Sequence, residues 1–167
     1  MKHPKSTWPA ILLAAAWAVL AASSAKAQTT NPLVGSWTVV SATTERGETK
    51  TETYGPHPKG SLMVDADGRY SIALMRAGLP KIASNNRTTG TAEENKAIVS
   101  GSIALFGTLT VNAQEKLILC KVATSTFPNW DEVELRCPFT ITGDELRFTI
   151  PEATGGGRGI MVWKRVK

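Results

Sequence analysis

From Leu33 onward the chain runs in short stretches of alternating apolar and polar residues, separated by glycine, proline, asparagine and aspartate. The clearest stretch is Val133–Ile141, where Val133, Leu135, Cys137, Phe139 and Ile141 share one face and Glu134, Arg136 and Thr140 the other. Successive side chains of a strand point to opposite faces, so this pattern predicts an antiparallel strand with one buried and one wet side. Glu145–Ile150 repeats it, with Leu146, Phe148 and Ile150 inward. Residues 34–42 predict a strand with Trp37, Val39 and Ser41 on one face and Thr38, Val40 and Ala42 on the other. In the strand Arg69–Arg76, Tyr70, Ile72, Leu74 and Arg76 share a face. With Ser61–Val64, Ile103–Asn112, Leu117–Thr124 and Gly159–Val166 the count is eight strands. Turn signals space them: Asp65-Ala66-Asp67-Gly68, Ala113-Gln114-Glu115 and Thr142-Gly143-Asp144. The polar stretch Thr43–Thr53 reads as a loop or frayed edge.

One segment breaks the alternation. Thr91-Ala92-Glu93-Glu94 is a capping box, in which Thr91 caps the helix N-terminus and Glu94 reaches back to it. It predicts a helix of two to three turns running to about Ser100 and stopping at Gly101. Neighbouring strands with short connections usually pair, and eight is the number at which a closed barrel encloses side chains or one small ligand. The expected fold is therefore all-β, an eight-stranded antiparallel up-and-down barrel with one short helix. A β-sandwich is the alternative that the same strand count allows.

The first residues follow a different pattern. Met1–Lys5 is short and basic, Pro9–Ala22 is apolar, and Ala25-Lys26-Ala27 precedes Gln28. Charged end, apolar core and A-x-A site make a secretory signal peptide with a predicted cut after Ala27. The apolar run falls short of the ~20 residues needed to span a bilayer. The expected division is a leader over 1–27, a polar lead-in over 28–32 and one barrel domain over 33–167, located in the periplasm or secreted. The leader carries Lys2, Lys5 and Lys26 and no acid, so its loss leaves 16 basic residues against 14 acidic ones. These are interspersed along the chain, without the basic run that tracks phosphates, which argues against a nucleic-acid partner. Stable membrane insertion after cleavage is not expected, and the sequence leaves the oligomeric state open.

Candidate chemistry is sparse. No nucleophile elbow, Ser-His-Asp arrangement or metal motif is present, so no catalytic residue, metal or cofactor is assigned. His57, between two prolines, reads as a surface loop residue. The Gly155–Gly159 run lies between two strands with no helix after it, which makes it a hairpin loop rather than a phosphate cradle. Cys120 and Cys137 are the only cysteines. Their midpoint falls in the turn between Pro128 and Asn129, so a symmetric hairpin would oppose them and permit a disulfide in an oxidising compartment. Arg76, at the end of its strand, could face the barrel mouth and take an anionic head group. Tyr54, Phe127 and Trp130 lie in proline-containing loops and are candidates, with Arg76, for the rim of a ligand site.

A barrel that pairs its first and last strands would set the Gly35-Ser36-Trp37 start beside the Trp163-Lys164-Arg165 end. Taken with YGPHPKGSLMVDADGRYSIALMR, TAEENKA, ALFGTLTV and FPNW in that order, these segments resemble the lipocalin-like domain family of small calycin-type barrels. The resemblance implies that Trp37 packs across one barrel end beneath Arg165, with Gly35 at the seam, as a structural closure. It implies a vessel without specifying its contents. Three functions fit: an exported, non-catalytic binder of a small hydrophobic molecule, a small barrel isomerase or cyclase, or a structural or interaction protein with a filled interior.

Overall fold

The computed structural model describes residues 31–167; the expected leader, 1–27, lies outside the described residues. The strands are β1 (Gly35–Arg46), β2 (Thr49–Glu52), β3 (Lys59–Val64), β4 (Arg69–Met75), β5 (Ser102–Asn112), β6 (Leu117–Ser125), β7 (Glu134–Thr142), β8 (Glu145–Ile150) and β9 (Arg158–Arg165). Among the described residues a single α-helix, α1 (Ala92–Ser100), precedes β5, and one 3-10 turn covers Pro128–Trp130. Pairing is antiparallel from β3 through β9, and β1 closes the ring by pairing with both β3 and β9. An eight-stranded closed barrel results, which excludes the sandwich. Closure leaves these eight strands no long free edge.

Two local features depart from the sequence expectation. First, Thr43–Thr53 is not a loop: β1 continues to Arg46, turns at Gly47 (φ 57°) and pairs back with β2. β2 occupies the edge of β1 beyond the reach of β3. Second, the expected face assignment of β1 fails after Val39. A bulge at Val40 lets Val39 pair with Trp163 and Ser41 with Val162, so one residue of β1 is unpaired. An extra residue shifts the alternation by one. Trp37 and Val39 are buried before the bulge, and Ala42 and Thr44 after it, while Val40 lies outside.

The helix matches its capping signal. The Thr91 hydroxyl accepts from the Glu94 N–H, and Glu94 accepts from the Thr91 N–H at 2.8 Å. Glu94 also accepts from the N–H of Ala83 at 2.9 Å, tying the long 76–91 connection to the helix. These backbone donors, Ala83 before Thr91, hold the Glu94 carboxyl below its usual range. The helix packs chiefly on the start of β5, and none of its residues is buried.

Candidate functional site

The barrel has two dissimilar ends. At the end formed by the start of β1 and the finish of β9, Leu33 is inserted as a plug, 1 % exposed. The Trp37 indole N–H donates to the Leu33 carbonyl at 2.8 Å. Arg165, paired with Trp37 in the β1–β9 ladder, lies 4.0 Å above its ring. The same guanidinium donates to the carbonyls of Val34 and Pro32, both at 2.7 Å. One cation thus satisfies two carbonyls outside the sheet while stacking on the indole. Gly35 is required there: its φ is 125°, and a Cβ would sit 3.1 Å from an Arg165 nitrogen.

From this plug a cavity of about 60 Å³ extends through the barrel to the opposite end. Its wall is apolar: Leu62, Ile72, Leu74, Leu105, Leu146 and Phe148 are representative. It reaches the surface among Thr53, Trp130 and the exposed Thr154. The Thr44 and Thr53 hydroxyls share a 2.7 Å hydrogen bond there. No charged residue lines the cavity.

Of the four rim candidates, the structure brings two into the cavity wall, Tyr54 and Trp130. Tyr54 is buried, and burial pushes its phenol up to about 12. Phe127 meets Trp130 edge to face, with centroids 5.9 Å apart, and supports it from behind rather than lining the cavity. Their loop is held by local bonds, including Asp131 accepting from the Ser125 N–H at 2.7 Å. Arg76 is exposed and lies just past β4, its stem against Gly55. It sits beside the mouth, outside the cavity wall. His57 is likewise exposed, at φ 56°. The glycine loop is tied to β1, since Arg46 donates to the carbonyls of Gly155 and Gly156 at 2.7 and 3.1 Å.

The expected opposition of Cys120 and Cys137 is not found. Cys120 pairs with Leu135 and Ile118 with Cys137, so the hairpin is centred one residue earlier than its loop suggests. The cysteines are diagonal neighbours and both are free thiols. Diagonal positions have Cα atoms about 7–8 Å apart, beyond disulfide reach without backbone movement. Both instead face the cavity, where the neighbouring Cys137 thiol, together with burial, pushes the Cys120 thiol up.

Tyr70 was not singled out by its sequence position, where it read as one more member of an apolar face. It is 4 % exposed and lines the cavity, and its hydroxyl has no hydrogen-bond partner. Burial, then the neighbouring Cys120 and Cys137, push its ionisation far above the ordinary range. A polar residue among Ile72 and Leu74 on the inward face was the available signal. Thr44 was missed for another reason, since the Val40 bulge that turns it inward leaves no mark in the alternation.

A closed antiparallel barrel, plugged at one end and carrying an apolar cavity toward the other, defines a calycin-type container. A family model described as lipocalin-like domain matches residues 34–166, and the chain belongs to that family. No curated protein matches the chain.

Proposed function

We propose that this is an exported, non-catalytic protein that binds a small hydrophobic molecule inside its barrel. The observation that carries the reading is the uncharged apolar cavity reaching the surface beside Tyr54 and Trp130. Export rests on the leader pattern of residues 1–27. No Asp, Glu, His, Lys or Arg lines the cavity wall, so an isomerase or cyclase would lack the usual positioned carboxylate, imidazole or amine. In this reading Tyr54 and Trp130 contact the ligand, Phe127 braces Trp130, and Arg76 offers a cation to any polar head left at the mouth.

The volume sets the ligand's shape. About 60 Å³ is far below the ~150 Å³ apolar cavity that accepts benzene, so the occupant is slim and side chains yield to it. Met161, in the wall and only partly buried, is the most adaptable of them. The same small volume favours a second reading, a barrel filled by its own side chains. Uptake of a slim polyene fatty-acid fluorophore separates the two. Saturable uptake that weakens in Trp130→Ala supports binding, and the absence of uptake by the wild-type protein supports the filled barrel.

A further inference from the structure

In a largely apolar wall, Tyr70, Cys120 and Cys137 form a polar spot separate from the threonines and Tyr54 toward the mouth. The two free thiols neighbour each other, yet the Tyr70 hydroxyl, fully buried, bonds to nothing. Leaving a buried hydroxyl unpaired costs free energy that a phenylalanine would not incur. Such a group is explained if something that enters the cavity completes it. The second buried polar atom without a partner, the Trp163 indole nitrogen, lies outside the cavity wall and is stacked on Phe148.

We infer that the cavity is built for a neutral ligand carrying a hydrogen-bond acceptor, a carbonyl or ether oxygen, which accepts a hydrogen bond from the Tyr70 hydroxyl. The inference rests on the binding function proposed above and specifies its ligand class. The phenol is held protonated by burial and by the two cysteines, so the spot supplies donors. A carboxylate placed there would be unpaired, because no Lys, Arg or His lines the wall, and burying an unpaired charge is far more costly than burying a ketone. An anionic head group would stay at the mouth with Arg76 and make no use of Tyr70. Acceptor position along the chain therefore distinguishes ligands that satisfy the spot from those that merely fill space.

The test uses three probes of similar length, 2-heptanone, 1-chlorohexane and heptanoate, titrated into the purified protein by NMR, with Tyr70→Phe as the variant. The ketone should bind about tenfold more tightly than the chloroalkane, the amount one completed hydrogen bond supplies. Tyr70→Phe should erase that advantage while leaving 1-chlorohexane and heptanoate unchanged. Its empty form should melt no lower than wild type, since only an unpaired hydroxyl is lost. Equal affinities for ketone and chloroalkane, or an advantage that survives Tyr70→Phe, overturn the inference while leaving apolar binding intact. A melting temperature lowered by more than about 5 °C also overturns it, by giving the hydroxyl a structural role. If no probe binds saturably, the binding function falls and the inference with it.

Discussion

The plugged end of the barrel is held by bonds that converge on one buried indole, whereas the bonds at the mouth are spread over its separate loops and leave the cavity wall to packing. At the plug, Leu33, Trp37 and Arg165 are joined by one indole hydrogen bond, two guanidinium hydrogen bonds and a stack at 4.0 Å. At the mouth, Trp130 is only half-buried, and the one side-chain hydrogen bond in the cavity wall there links two threonines. The difference teaches that stability and access are assigned to opposite ends. The Gly-x-Trp motif that marks the plug therefore reports on how the barrel closes rather than on what it holds.

Substitutions at the two ends should have opposite signatures. Trp37→Ala removes a fully buried indole and should cost about 3–5 kcal/mol in chemical denaturation. Trp130→Ala, at a half-buried position, should cost roughly 1 kcal/mol while weakening ligand uptake several-fold. Equal stability losses at the two sites would break the comparison. An effect between these two is expected for Arg165→Met, about 1–2 kcal/mol, because it forfeits the stack and the hydrogen bonds to two carbonyls. If the loss instead reached that of Trp37→Ala, the guanidinium rather than the indole would be the centre of the plug.

The chain's two tyrosines bracket the cavity, Tyr70 within and Tyr54 toward the mouth, and both are buried. Their folded-state ionisation lies above the unfolded value near 10, to about 12 for Tyr54 and higher for Tyr70. Between those values the unfolded chain has lost protons that the folded chain retains, so stability is full below about pH 10 and declines as pH rises toward 12. Phenolate absorbance at 295 nm should be nearly absent from the native protein at pH 10.5 and appear on unfolding. Half-ionised tyrosine in native protein near pH 10 would contradict the burial of both. The smallest effect concerns the thiols: protein isolated under oxidising conditions should keep Cys120 and Cys137 reduced and alkylate them only on unfolding. A mass two daltons lighter would show that the strands move enough to bridge them.

Much of this fold was legible because its instructions are local. The period-two stretches of Val133–Ile141 and Glu145–Ile150 mark strands without reference to the rest of the chain. Likewise Thr91 and Glu94 specify a helix start by themselves. What escaped depends on relations between strands. The Val40 bulge is visible only against β9, the extension Thr43–Arg46 only against β2, and the offset of Cys120 from Cys137 only in the β6–β7 register. The candidate site escaped more fully than the fold. Tyr54 and Trp130 were found from their loops, but the chemistry of Tyr70 lies in the partner it lacks, and no sequence pattern encodes that.

The most direct measurement is native mass spectrometry of the protein recovered from its own cells, before and after extraction with organic solvent. A container with a mouth at Trp130 predicts a discrete added mass that solvent removes and that the purified protein regains from its own extract. A protein recovered at its bare polypeptide mass, with nothing regained from the extract, would contradict the account and leave the barrel a filled scaffold.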